Sequence, residues 1–316
     1  MRDGRIPVTL VTGFLGSGKT TLLAAILRRS DFARTAVVIN EFGEVPLDQA
    51  LIDRCDGHVV VTAGGCLCCG IGGDVVSTLL DLYGRKEDLP FDRVIIETSG
   101  LADPGPIMAP LIQSPELTPL FRLDGVVTVV DALQGQRELG RQRVAIKQVA
   151  MADRIILSKS DIAAPRAVIA LDEQLEALNP WASRLTACHG NVEPSWLFSG
   201  LLIPKDYIHF DDHDDDRDHD HHDHGGIRAF CLWPDNGRDW AEVSNTIRTL
   251  LDEHGERILR LKGLWNREGN PLAIHGVRQF LHPATPLAAW PDDDHRSRLV
   301  FITDHLDRAE VERFLS

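Results

Sequence analysis

Short apolar runs alternate with amphipathic segments over residues 6–200. The apolar runs are rich in β-branched residues and read VTLVT, AVVIN, VVVT, RVIIE, GVVTVV and RIILS. Segments with helical spacing of apolar residues lie between them, at 20–29, 74–82 and 168–178. The runs at 94–96 and 126–130 have no polar alternation, which is typical of parallel strands covered by helices on both faces. The pattern predicts an α/β domain with a mostly parallel sheet covered by helices.

The pattern changes after a polar segment. IRAFCLW, ERILRLKGLW, PLAIHGVRQFL and RLVFIT predict strands, NREGN at 266–270 predicts a hairpin turn, and 239–252 and 308–315 predict helices. The polar segment itself includes DDHDDDRDHDHHDH at 211–224, which is too polar to bury a core. We therefore expect a large domain over 1–204, a flexible Asp/His-rich loop over 205–226 and a smaller α+β domain over 227–316.

Composition and charge narrow the classes of partner. The 316 residues are 43% hydrophobic and 25% charged, as in an ordinary globular protein, and the net charge of −14 argues against a nucleic acid or an anionic membrane as partner. Residues 211–224 hold eight Asp against one Arg, a net −7, so they carry half of that charge. No apolar run approaches the roughly 20 residues of a membrane span, and 6–11 is too short for a signal peptide. We expect a cytoplasmic protein.

A phosphate-binding motif follows the first predicted strand. GFLGSGKT at 13–20 matches G-x-x-x-x-G-K-[ST] and leads into a predicted helix. Backbone N–H groups of this loop turn toward a β-phosphate, Lys19 reaches the β- and γ-oxygens, and the Thr20 hydroxyl binds Mg²⁺. The predicted phosphate-binding residues of the loop are Gly13, Gly16, Ser17, Gly18, Lys19 and Thr20.

Two further segments complete a predicted nucleotide site. The strand RVIIE ends in Glu97, where a carboxylate can engage Mg²⁺ or its waters, and Gly100 follows with a backbone N–H for the γ-phosphate. Glu97, Gly100 and Lys19 are the candidate catalytic residues. The alternative is that Glu97 only ends the strand and Gly100 only turns the chain.

The segment Ser158-Lys159-Ser160-Asp161 is similar to the N-K-x-D element that recognises guanine. A carboxylate at Asp161 accepts from N1–H and the 2-amino group of guanine, which adenine lacks, and the stem of Lys159 packs along the base. Ser158 stands where the element has Asn, so stringency for GTP over ATP stays open. The alternative is a helix N-cap of the S-x-x-D type.

Three of the six cysteines crowd into one short segment. Cys66, Cys68 and Cys69 follow a predicted strand between glycines, and thiolates are ligands for Zn²⁺. We expect two or three of them to bind, with a carboxylate, water or partner ligand in the remaining position. Glu41 and Glu44 are candidate oxygen donors, since loops at strand carboxyl ends converge in such sheets. The alternatives are buried thiols, a redox dithiol and solvated carboxylates.

The other cysteines and the histidines have separate interpretations. Cys55, Cys188 and Cys231 are expected to be small buried hydrophobic residues. The 211–224 segment offers imidazole and carboxylate groups that collect Zn²⁺, Ni²⁺ or Co²⁺ weakly; the alternative is a solubilising acidic loop. Its candidate ligands are His213, His219, His221, His222 and His224.

Taken in order, GFLGSGKTT, NEFGE, GGCLCCG, ETSGLADP and SKSD resemble the CobW-type P-loop GTPases, and ERILRLKGLW, PLAIHGVRQ and RSRLVFIT resemble the CobW C-terminal domain. The resemblance covers nearly the whole chain. It implies GTP hydrolysis coupled to binding and delivery of a divalent metal, Zn²⁺ or Co²⁺. It places phosphate on residues 16–21, thereby adding Thr21, guanine on Asp161, and metal on the three clustered cysteines.

The leading hypothesis is a GTP-hydrolysing metallochaperone that uses GTP, Mg²⁺ and Zn²⁺ or Co²⁺ and serves a metalloprotein client. In it, the γ-phosphate orders the loops that carry the metal ligands, and hydrolysis releases the metal. Two rivals are a non-catalytic zinc buffer or sensor, and a P-loop kinase with an acceptor pocket. The sequence leaves open the cognate metal, the client, and whether the chain is a monomer or a homodimer.

Overall fold

The computed structural model describes residues 4–32, 34–39, 59–62, 75–188, 190–198, 226–235 and 237–315. The chain divides into two compact units. The first comprises residues 1–172 and 183–202, and the second comprises residues 173–182 and 203–316.

A parallel sheet forms the centre of the first unit. Its seven strands follow the order β3-β2-β4-β1-β5-β6-β7, and every neighbouring pair is parallel. The strands are β1 (Ile6–Thr12), β2 (Thr35–Ile39), β3 (Val59–Thr62), β4 (Arg93–Glu97), β5 (Phe121–Asp131), β6 (Arg154–Ser158) and β7 (Ser183–Ala187). Because neighbouring strands are parallel, all of their carboxyl ends lie along one edge of the sheet.

Helices connect the strands of this sheet. They are α1 (Lys19–Leu27), a 3₁₀ turn (Ser30–Phe32), α2 (Val75–Gly84), α3 (Gly105–Gln113), α4 (Gly135–Leu139), α5 (Arg143–Ala150), α6 (Pro165–Leu178) and α7 (Pro194–Leu197). Apolar residues of α1 such as Leu23 and Ile26 are buried in one cluster with Ile95 and Val127 of the sheet. This cluster holds the start of α1 firmly beside the end of β1.

The second unit is built on an antiparallel sheet of six strands, in the order β11-β10-β9-β13-β8 with β12 paired to β10. They are β8 (Ile227–Leu232), β9 (Ile258–Arg267), β10 (Asn270–Val277), β11 (Phe280–Leu281), β12 (Thr285–Pro286) and β13 (Arg298–Asp304). Helices α8 (Trp240–His254) and α9 (Arg308–Leu315) contribute Ile247 and Val311 to its core, with Trp265 and Phe301 from the strands.

The predicted fold class is confirmed. All six predicted strands of the first unit are present, and so are the strands and both helices predicted after residue 226. The hairpin turn is also confirmed: Glu268 and Gly269 join β9 to β10 with φ of 52° and 88°, the left-handed pair of a type I′ turn. Among the described helices, none is long and apolar enough to cross a membrane.

Candidate nucleotide site

The carboxyl edge of the parallel sheet gathers the predicted nucleotide-binding residues. Val11 of β1 is in register with Glu97 of β4, and Ser158 of β6 is in register with Asp131 of β5. The loop after β1 and the segments after β4 and β6 therefore start from the same edge. This is the position at which parallel α/β sheets bind ligands.

The loop after β1 is shaped by its glycines. Gly13, Gly16 and Gly18 have φ of 141°, 73° and 98°, and a Cβ on Gly13 would stand 2.2 Å from the carbonyl oxygen of Val129. Only glycine fits there, because that carbonyl belongs to the backbone of β5. Ser17 N–H donates to Phe14 O at 3.2 Å and closes the loop ahead of α1. The loop is thus the narrow turn that a phosphate cradle requires.

Lys19 crosses this loop and is only 8% exposed. Its Nζ donates to the carbonyl oxygens of Gly13 at 2.7 Å and Phe14 at 3.1 Å. The ammonium group is therefore fixed at the loop, next to the first turn of α1, where helix N–H groups add positive potential. Thr21 lies in that same turn and is exposed.

The side chains of Thr20 and Glu97 are joined by a hydrogen bond. Thr20 Oγ1 donates to Glu97 Oε1 at 3.0 Å, and Glu97 is only 5% exposed. The neighbouring threonines are also joined, since Thr98 Oγ1 donates to Thr12 Oγ1 at 2.8 Å. A hydroxyl and a carboxylate are hard oxygen donors of the kind that Mg²⁺ takes. These two residues fit the ion that the sequence predicts, and they would hold it where it neutralises phosphate charge.

The turn after β4 packs on the phosphate loop. A Cβ on Gly100 would lie 2.7 Å from Leu15 N and 2.9 Å from Leu15 Cα, so the two backbones are in direct contact. The structure therefore brings Gly100 to the phosphate loop. Leu15, the residue at this contact, remains 54% exposed.

Ser158 and Lys159 join the segment after β6 to the phosphate loop. Ser158 Oγ donates to Ser17 O at 2.6 Å, so the serine that replaces Asn still supports the loop. Lys159 has a left-handed φ of 56°, and its Nζ donates to Gly16 O at 2.8 Å and to Asp131 Oδ2 at 2.6 Å. Asp161 lies exposed in the turn before α6.

Two carboxylates in this region, those of Asp131 and Glu138, belong to none of the sequence motifs. Asp131 ends β5, as Glu97 ends β4, and this position at a strand carboxyl end was the available signal. Glu138 in α4 is half-buried, and its pKa is raised, first by burial and then by Asp131, against the opposing effect of Lys159 and Lys19. No motif surrounds Glu138, and only the folded chain brings these charges together.

The cysteines differ from the prediction at one position. Cys188 is exposed, not buried, because it follows β7 at the sheet edge, and its Sγ lies 3.8 Å from Ser160 Oγ. Cys231 is buried as expected, and burial raises the pKa of its thiol to about 12.

The predicted transition-metal ligands lie outside the described residues. These are Glu41, Glu44, Cys66, Cys68, Cys69 and the five histidines of 211–224, together with Cys55 of the unassigned thiols. Within the ranges that the structure does describe, no group of three or more His, Cys, Asp or Glu side chains is placed to hold a metal ion.

Comparison with known proteins identifies the family of both parts of the chain. Residues 7–186 match the family described as CobW/HypB/UreG, nucleotide-binding domain, and residues 227–316 match the cobalamin synthesis protein cobW C-terminal domain. The zinc chaperone YjiA of Escherichia coli is 36% identical, over 97% of this chain and 96% of that protein. The zinc chaperone CobW of Pseudomonas aeruginosa is 30% identical, over 97% and 90%.

A solved structure shares the whole architecture. The crystal structure of the Zn(II)-bound YjiA GTPase from E. coli superposes with a TM-score of 0.76 at 31% identity, and the match covers 98% of each chain. Both parts of the fold therefore have a counterpart in one protein. The chain belongs to the CobW family of P-loop GTPases, with a CobW C-terminal domain.

Proposed function

We propose that this GTPase is a zinc metallochaperone in which bound GTP controls a metal site on the C-x-C-C segment. In this proposal Cys66, Cys68 and Cys69 hold Zn²⁺ or Co²⁺, with Glu41 or Glu44 completing the ligand set. Hydrolysis of GTP then releases the ion to a client metalloprotein. The metal is cargo, whereas Mg²⁺ at Thr20 and Glu97 serves the phosphates.

The observation that carries the proposal is a row of residues across three neighbouring strands. Glu97 of β4 is in register with Ile39 of β2, and Ile39 is in register with Thr62 of β3. Adjacent strands are about 4.8 Å apart, so Thr62 stands about 10 Å from Glu97. Glu41 comes two residues after Ile39 and Cys66 four residues after Thr62. The two strands that precede the candidate ligands therefore end beside the carboxylate assigned to Mg²⁺.

This short separation supports control by a switch. A γ-phosphate that recruits Gly100 and Mg²⁺ at the end of β4 acts next to β2, which precedes Glu41, and one strand away from β3, which precedes Cys66. Linkage makes the coupling reciprocal: a nucleotide that tightens Zn²⁺ binding has its own binding tightened by Zn²⁺ to the same factor. The named relatives YjiA and CobW, which are zinc chaperones, favour zinc as the cargo.

The test is the Zn²⁺ affinity of the fully reduced protein, measured by chelator competition with Mg²⁺ and a non-hydrolysable GTP analogue, with GDP, and without nucleotide. We expect the analogue to tighten binding by about tenfold or more, which is about 1.4 kcal/mol of coupling. A variant with Cys66, Cys68 and Cys69 changed to Ala should lose this high-affinity binding. Cys231→Ala is the matched control, because it removes one buried thiol outside the segment.

Equal affinities in all three nucleotide states would overturn the switch for Zn²⁺, and the measurement would then be repeated with Co²⁺. Full Zn²⁺ affinity in the triple variant would overturn the assignment of the ligands. Tight binding that ignores the nucleotide is the behaviour of a passive zinc buffer or sensor.

A further inference from the structure

Helix α5 reaches the turn after β4 through one buried side chain. Gln148 is 1% exposed, and its Nε2 donates to Gly100 O at 3.2 Å and to Ala102 O at 3.0 Å. The preceding residue makes a second link, since Lys147 Nζ lies 3.4 Å from Asp103 Oδ2. Two consecutive residues of α5 therefore bind three of the four residues that begin at Gly100.

The turn held in this way has a defined shape. Ala102 N–H donates to Ser99 O at 3.0 Å and closes it, while Gly100 packs against Leu15 of the phosphate loop. In a trans peptide unit the C=O and the N–H point in opposite directions. Fixing the carbonyls of Gly100 and Ala102 toward α5 therefore fixes the 100–101 and 102–103 peptide units. The peptide unit before them, which carries the Gly100 N–H, is held by the bond from Ala102 N–H to Ser99 O inside the same turn.

The backbone of α5 is anchored without the help of this amide. Thr128 Oγ1 donates to the main-chain oxygen of Gln148 at 2.7 Å, and Ile146 and Val149 are buried. The bonds of Nε2 to Gly100 O and Ala102 O both run to the turn, and Gln148 Oε1 has no hydrogen-bond partner among the described residues. A residue needed only to fill the core there would not require an amide, because a buried acceptor without a partner is unfavourable.

We infer that Gln148 is a positioning residue for GTP hydrolysis, which holds the turn that presents the Gly100 N–H to the γ-phosphate. The inference rests on the proposed role of Gly100 and adds a residue that touches neither nucleotide nor metal. It makes α5 part of the γ-phosphate sensor, because a turn that moves on hydrolysis changes its bonds to Gln148. The phosphate loop has bonds of its own, from Ser17 N–H to Phe14 O and from Lys19 Nζ to Gly13 O, and the bonds of Gln148 run to the turn and not to this loop. Binding of GDP should therefore not require Gln148.

The experiment compares Gln148→Leu with Thr128→Val in the full chain. Both remove hydrogen bonds at α5, but only the first removes the bonds to the turn. We expect Gln148→Leu to lower kcat for GTP by about tenfold to a hundredfold, as for misplaced reacting groups, while GDP affinity changes by less than about threefold. Thr128→Val should lower the melting temperature and leave kcat within about threefold of the parent.

Three results would overturn the inference. One is kcat for Gln148→Leu within threefold of the parent, and another is an equal loss of GDP affinity and kcat, which marks a merely structural role. A third is normal GTP hydrolysis by the Gly100→Ala variant, and this result would also overturn the proposed role of Gly100. A slow Gly100→Ala beside a normal Gln148→Leu refutes only the inference. If Gln148→Leu does not fold, Gln148→Glu tests the same bonds with a side chain of matched size.

Discussion

Replacing Glu97 by Gln separates the chemical role of this residue from its structural role. The carboxylate is 5% exposed and accepts a hydrogen bond from Thr20 Oγ1 at 3.0 Å. The amide oxygen of Gln keeps that bond and the volume of the side chain, but one negative charge is lost. We therefore expect the free energy of unfolding without nucleotide to be nearly unchanged, and GTP hydrolysis to be slow.

The two magnitudes differ enough to be decisive. A bond to a charged group contributes about 1.5–3 kcal/mol and a neutral one about 0.5–1.5, and the lower desolvation cost of the amide offsets part of this difference. Stability should change by less than about 1 kcal/mol. Removing one preorganised electrostatic group from a reacting site costs about 2.7–4 kcal/mol, or about 10²–10³ in kcat.

Steady-state GTP hydrolysis across a Mg²⁺ titration, with a thermal melt of each protein, measures both quantities. Glu116→Gln is the matched control, because it removes an exposed carboxylate that precedes the amino end of β5, whereas the site lies at the carboxyl ends of the strands. Glu97→Gln with kcat within about threefold of the parent, or with a large loss of stability and no change in Mg²⁺ dependence, would refute the reasoning.

Three further predictions concern the base, a proton and two thiols. Asp161→Asn should weaken GTP binding by about tenfold or more and favour XTP, whose C2 carbonyl accepts from the new amide; competition binding measures this. Because the pKa of Glu138 is raised in the folded chain, the folded state binds the proton of this carboxyl more tightly than the unfolded state does. The ionised carboxylate therefore lowers the free energy of unfolding above that pKa, and this loss is absent below about pH 4, where the group is protonated in both states. Glu138→Gln should accordingly raise the melting temperature at pH 8 and lose this advantage at low pH. Alkylation with peptide mapping should modify exposed Cys188 quickly and Cys231 only on unfolding, because burial raises the pKa of Cys231 to about 12.

Elements that bury an unbroken apolar run could be predicted from the sequence. β4 is RVIIE, and four of its five residues are buried. β7 is SRLTA, and only Ala187 is fully buried, so its sequence carries no strand pattern. Helix α3 is not predicted by the sequence, because GPIMAPLIQ contains Pro106 and Pro110, and proline disfavours the helix interior.

The site divides in the same way. The phosphate loop, Glu97 and the Ser158–Asp161 segment could be proposed from the sequence, because each follows directly on an apolar strand and carries a short residue pattern. Gln148 reaches Gly100 across 48 residues, and Lys159 reaches Asp131 across 28. Such pairs exist only after the sheet has assembled, and no spacing rule along the chain specifies them.

Charge gives the proposed coupling of GTP and Zn²⁺ a sign that can be tested. Zn²⁺ held by three thiolates and one carboxylate carries −2, and Mg²⁺-bound GTP also carries −2. At a separation of about 10 Å the two therefore repel by about 1.7–7 kcal/mol for dielectric constants between 80 and 20. Electrostatics alone would make GTP weaken Zn²⁺ binding. If GTP instead tightens Zn²⁺ binding, the free energy gained by ordering the loops must exceed this repulsion.

Salt screens repulsion between exposed charges over such distances. The tightening by GTP should then grow as ionic strength rises from 0.05 to 0.5 M, on the order of a few-fold. A tightening that shrinks with salt would mean that attraction carries the coupling, and three thiolate ligands would be the wrong charge for the site.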